Sequence, residues 1–188
     1  MKFKQSIIRL FLLISIILNT TILYALTYDD DILSIFSKLM PRFIMMSSQK
    51  ERIKDNIDIC VLNDDIDKSA ALSLIDKVNN NYPNGIKNHH IHLVSTPYSE
   101  ITKCENTQLL FMFNSNEKNI NDALLFSNKQ NILTMSYDEA LLENGVEISL
   151  FIGRKVLPYI NMKAITKNKV ELDNILLRVS KIYLGKEN

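Results

Sequence analysis

Residues 144–162, NGVEISLFIGRKVLPYINM, decide how the fold closes. Two apolar runs, 146–152 and 156–165, follow each other with only Gly153-Arg154-Lys155 between them. Strands so close in sequence must run antiparallel, so the stretch reads as a β-hairpin. Gly145 and Gly153 are too far apart for a phosphate loop, and no G-x-G-x-x-G or G-x-x-x-x-G-K occurs in the chain. They read instead as a helix stop and a turn. Pro158 has no N–H for a ladder, which places the second strand at an edge or a bulge.

Upstream of the hairpin, strands and helices alternate. Residues 138–143 read as a short helix stopped by Asn144-Gly145, 131–135 as a strand and 117–128 as a helix. The run 107–113, TQLLFMF, is apolar enough to be a strand buried on both faces. Residues 89–95 and 57–62 read as two more strands, separated by a helical pattern (Ala70, Ala71, Leu74, Ile75, Val78) and the turn cluster NNNYPNG. Asp29-Asp30-Asp31 precede a first helical pattern from Ile32 to Ile44, in which Pro41 is expected to kink or shorten the helix. Downstream of the hairpin, Asp173 is expected to cap a final helix with Ile175, Leu176, Val179, Ile182 and Tyr183 along one face. The fold class is α/β: a mostly parallel sheet flanked by helices, ending in an antiparallel hairpin and a C-terminal helix.

The first residues, MKFKQSIIRLFLLISIILNTTILYA, have the layout of a secretory signal. Lys2, Lys4 and Arg9 make a basic start, residues 10–18 are apolar apart from Ser15, and cleavage after Ala25 is expected. Leu23 is larger than the residue preferred three positions before a cut, so an uncleaved anchor is the alternative, although the apolar run is short for a bilayer span of about 20 residues. Taking 25 residues from 188 leaves 163, which suits a single domain over 26–188. Cleavage lowers Lys+Arg from 22 to 19 against 21 Asp+Glu. A net charge near −2 gives no electrostatic reason to expect nucleic acid as a partner.

Catalytic and metal chemistry find little support. His89, His90 and His92 are all the histidines; His90 and His92 share a strand face, but no second ligand cluster accompanies them, so surface histidines are the preferred reading. No nucleophile shows a histidine partner pattern, and G-x-S-x-G is absent. Asp64-Asp65 ends the first strand, where open α/β sheets bind ligands, yet Asn-Asp-Asp before a helix is more often a cap. With Ser115, these two acids outline the crevice of an alternative reading, a small-ligand receptor without catalytic activity. No cofactor and no metal are expected.

Cys60 and Cys104 both lie in the exported part. Two thiols alone do not make a zinc site. In a doubly wound order the third strand lies beside the first, which brings the two sulfurs within reach, so either a disulfide or two buried or reactive thiols result. A bridge would contribute about 4 kcal/mol on chain-entropy arithmetic.

Four stretches carry a family resemblance: NIDICVLND, KCENTQLLFMFNS, NILTMSYDEALLENGVEISLFIGRKVLPYINMKAI and LDNILLRVSKIY. Together they resemble the YfiR/HmsC-like family of small periplasmic proteins over nearly the whole mature chain. The resemblance implies an α/β protein that is not an enzyme. It also implies a repressor that holds the periplasmic sensor part of an inner-membrane diguanylate cyclase inactive, lowering cyclic di-GMP and restraining biofilm formation. By the same resemblance, Cys60 and Cys104 match positions that pair in some members, and Gly145, Asn161 and Leu176-Leu177 match structural positions. The chain departs from the family in having no tryptophan and no second cysteine pair near the hairpin. Candidate partner contacts are Phe43, Ile44 and Met45 at the end of the first helix and Phe151, Arg154 and Lys155 on the hairpin. A second copy of the chain, forming a homodimer, is the competing occupant of both surfaces.

Overall fold

The computed structural model describes residues 28–185, so the expected leader lies outside the described residues. Seven strands form one sheet in the order β2-β1-β3-β4-β5-β6-β7. They are β1 (Asn56–Asn63), β2 (His90–Pro97), β3 (Leu109–Met112), β4 (Leu133–Ser136), β5 (Ile148–Ile152), β6 (Val156–Asn161) and β7 (Lys181–Tyr183). The first five run parallel, β5 and β6 form the antiparallel hairpin, and β7 joins β6 in parallel. The helices are α1 (Asp30–Met45), α2 (Lys68–Asn81), α3 (Glu117–Gln130), α4 (Met162–Lys167) and α5 (Asn174–Arg178).

Side-chain alternation along β1 explains the two layers. Ile57, Ile59 and Val61 point to one face, where Phe36, Met40, Phe43 and Ile44 of α1 and Leu74 and Val78 of α2 bury them. Cys60 and Leu62 point to the other face, against Ile120, Ala123 and Leu124 of α3. β3 is covered on both sides and reads LLFM without a polar residue, as a central parallel strand should. Phe36 packs edge-on against Phe111 at 5.1 Å between ring centroids, and Phe111 against Phe113 at 5.3 Å.

The connection from β2 to β3 crosses β1 on the α3 face through a 3-10 segment, Tyr98–Cys104. That crossing sets Cys104 over Cys60, and the two form a disulfide with a Cα–Cα distance of 5.5 Å. The bridge therefore ties a crossover turn to β1, the strand the turn crosses, where the register pairs Cys60 with Leu110 of β3.

Several local expectations change. α1 runs through Pro41 to Met45, with Pro41 buried, so the proline does not shorten it. β6 ends at Asn161, whose side chain accepts the Ala164 N–H at 3.0 Å and starts α4, so residues 162–165 are helical. The final helix stops at Arg178 because residues 181–183 leave it to pair with Tyr159–Asn161 of β6. That pairing accommodates Pro158. Asn161 donates its N–H to Glu147 O across the hairpin, so by alternation the Pro158 nitrogen faces away from β5, one residue short of the first β7 partner.

α3 ends at Asn131 in the left-handed region (φ +53°), where its carbonyl accepts from Gln49 Nε2 at 3.1 Å and from Arg52 Nη1. Asn131→Gly keeps both backbone contacts and removes the Cβ from that conformation. The variant is expected to gain about 0.5 kcal/mol in urea unfolding.

Candidate functional site

The winding direction reverses between β1 and β3, and a crevice opens there at the carboxyl ends of the strands, where such sheets bind ligands. Tyr28 crosses it. Its hydroxyl donates to Asp67 Oδ1 at 2.6 Å, and its ring meets Phe113 at 4.8 Å and Tyr137 at 4.7 Å, both edge-on. One lobe, of about 260 Å³, is lined by Tyr28, Asp64, Asp67, Asn114 and Ser115. The other, of about 270 Å³, is lined by Tyr28, Asn114, Tyr137, Leu150 and Ile152, with Asp138 and Glu139 beside them.

Asp64 does not cap the following helix, and neither does Asp67. The Asp64 carboxylate instead accepts from Ser115 Oγ at 2.7 Å, and Asn119 Nδ2 donates to the same Ser115 oxygen at 2.9 Å. The cap reading of Asp64-Asp65 is thus replaced by a link between the ends of β1 and β3, while Asp65 lies exposed. Asp67 is only 1 % exposed, and its Oδ2 has no hydrogen-bond partner among the described residues. Burial pushes its carboxyl above the usual range, against the opposing pull of the Tyr28 hydroxyl. The Tyr28 hydroxyl is pushed up as well, first by burial and then by Asp67. Tyr98 is buried behind the site and donates to the Phe113 carbonyl.

The histidines do not converge. His92 Nδ1 lies 3.0 Å from Asp58 Oδ1 on the β2–β1 pair, and among the described residues no three His, Cys, Asp or Glu side chains gather as a metal site.

The two surfaces expected to meet a partner differ sharply. Phe43 is 2 % exposed and Ile44 0 %, so the apolar surplus at the end of α1 fills the core and is not presented outward; Met45 is half-buried against that core. The hairpin tip is open, with Arg154 and Lys155 exposed and Ile152 55 % exposed. Behind the tip, Phe151, Tyr159 and Tyr183 form an edge-to-face ladder at 5.7 and 5.5 Å. Lys181 Nζ sits 3.3 Å from the Phe151 centroid, a cation–π contact that covers one face of the ring. The outer edge of β6 is taken by β7 from Tyr159 onward, so the hairpin offers less free edge than its sequence alone implies.

Residues 37–181 match the YfiR/HmsC-like family. The chain belongs to this family. Membership implies a regulatory role in cyclic di-GMP signalling rather than catalysis, and family members are periplasmic. Among the described residues, no helix is long and apolar enough to cross a membrane. No curated protein matches the chain. Among solved structures, it is similar to a conserved domain protein from Vibrio cholerae, with 9 % identity and a TM-score of 0.57 over 80 % of this chain and 59 % of that one. It is also similar to an ABC domain from Streptococcus pneumonia in complex with L-Trp, with 9 % identity and a TM-score of 0.56 over 78 % of this chain and 60 % of that one. The chain thus spans about three fifths of the length of each, and at this identity the likeness concerns the fold.

Tyr28, Asp67 and Tyr137 were not legible as site residues. Asp67 hides in NDDIDK, where a helix start explains every acid; Tyr28 reaches it from 39 positions away, and Tyr137 meets Tyr28 from 109 positions away. The sequence pointed to the crevice through Asp64-Asp65 at a strand end and Ser115, of which Asp64 and Ser115 line it.

Proposed function

We propose that this chain is a periplasmic regulatory binding protein, exported by the leader at residues 1–25, that represses an inner-membrane diguanylate cyclase through its periplasmic sensor region and so lowers cyclic di-GMP. The observation that carries this reading is the family match over residues 37–181. Repression needs no chemistry, only a higher affinity for the inactive state of the cyclase than for the active one. The hairpin tip is the contact surface: Arg154 and Lys155 supply exposed positive charge beside the Ile152 side chain, and Phe151 adds aromatic area behind them.

Cells lacking the chain are expected to hold more cyclic di-GMP, and the wild-type chain to lower it again. The Arg154→Glu, Lys155→Glu variant is expected to fold with stability within about 0.5 kcal/mol of wild type and to leave the level high. Full repression by that variant would remove the hairpin from the interface. An unchanged level on removing the chain would contradict the repressor reading itself.

A second reading, a small-ligand receptor, is favoured by one observation, the buried and unpartnered Asp67 Oδ2 in the crevice.

A further inference from the structure

We propose that the crevice at the carboxyl ends of β1 and β3 binds a small organic ammonium ion with an apolar body. Asp67 and Asp64 hold the charged end, and Tyr28, Tyr137 and the neighbouring aliphatic side chains hold the rest. This inference stands apart from the repressor reading and does not need a cyclase.

The first observation is the orphaned oxygen. Asp67 lines the acidic lobe at 1 % exposure; one carboxylate oxygen is held by the Tyr28 hydroxyl at 2.6 Å, and the other has no partner among the described residues. Leaving a buried acceptor unpartnered is costly, and a donor arriving in the lobe relieves that cost. The second observation is charge. The Asp64 carboxylate shares the lobe, and among the described residues neither Asp64 nor Asp67 forms an ion pair. Two acids without a cation make the lobe a place for positive charge.

The walls decide which cation. A calcium ion takes six to eight oxygen ligands in a compact shell, by the usual coordination chemistry. Here the adjoining lobe, besides Asp138 and Glu139, presents Tyr137, Leu150 and Ile152, with Tyr28 shared between the two. Aliphatic and aromatic walls give a metal ion nothing but bury an alkyl or aryl group, and ring faces attract an ammonium. Lobes of about 260 and 270 Å³ meeting at Tyr28 and Asn114 suit a ligand of about ten non-hydrogen atoms.

The test is calorimetric titration of the mature chain with phenethylamine and with its neutral analogue 2-phenylethanol. Saturable binding of the amine is expected, with the alcohol at least about tenfold weaker. Asp67→Asn is expected to weaken the amine about tenfold and leave the alcohol unchanged. Circular dichroism checks that the variant is folded; should it not be, Asp64→Asn is read in the same way. Equal binding of amine and alcohol, no binding of the amine, or undiminished amine binding by the folded variant overturns the assignment.

Discussion

The Cys60→Ala, Cys104→Ala variant is expected to lose about 4 kcal/mol of stability, the largest effect of any change considered for this chain. The bridge closes a loop of sequence separation 44 that holds α2, β2 and the crossover turn. Opening it frees that loop in the unfolded chain, and the cost follows from loop length alone. Alanine is the appropriate replacement because both cysteines are 0 % exposed, and a serine would add a buried hydroxyl. For a domain of this size the loss corresponds to a fall in Tm of roughly 8–16 °C. Reductant is expected to lower the Tm of the wild type and to leave the variant unmoved. A double variant as stable as the oxidised wild type would mean that the crossover turn is held by packing alone.

The second large effect is a pH dependence that resides in one side chain. Glu147 is 0 % exposed, immediately ahead of β5. Its Oε2 accepts the Thr134 N–H at 2.7 Å and the Thr134 hydroxyl at 3.0 Å, and its Oε1 accepts Asn168 Nδ2 at 2.9 Å. Burial outweighs these donors and pushes the carboxyl up from 4.5 to about 7. The folded protein therefore holds this proton more tightly than the unfolded chain does. The resulting stability is fully present below pH 4.5 and is lost as pH rises through about 7. The difference of about 2.5 pH units amounts to at most about 3 kcal/mol between pH 4 and pH 8.

Glu147→Gln is expected to remove that slope. Its amide oxygen can accept from Thr134, and a flip of the Asn168 amide lets its nitrogen donate, so the variant gains on the wild type as pH rises. Urea unfolding at pH 5 and pH 8 gives the comparison. Parallel curves for the two proteins would show that Glu147 carries its charge in the fold without penalty.

The parts legible in the sequence are those set by local pattern. The hairpin follows from two apolar runs around Gly153-Arg154-Lys155, and the central strand β3 from an unbroken LLFM. What escaped depends on neighbours distant in sequence. Ile175, Leu176, Val179 and Ile182 fit a helical spacing, yet the edge of β6 captures residues 181–183 and Ser180 Oγ turns back to the Leu176 carbonyl at 2.6 Å. Phe43 and Ile44 look surplus on one helix, because a sequence does not say that both the sheet and α2 close over it. Asp64 reads as a cap until Ser115, 51 positions on, supplies its donor. Glu147 reads as one polar position in an apolar stretch until Thr134 and Asn168 enclose it.

If this chain holds a membrane-bound cyclase inactive, as proposed, crosslinking the tagged chain in its own periplasm and identifying captured membrane proteins by mass spectrometry will find that cyclase. Enrichment of a diguanylate cyclase with a periplasmic sensor is expected, joined through the hairpin around Phe151, Arg154 and Lys155. Capture of soluble proteins or of the chain itself, with no such cyclase, would contradict the proposal.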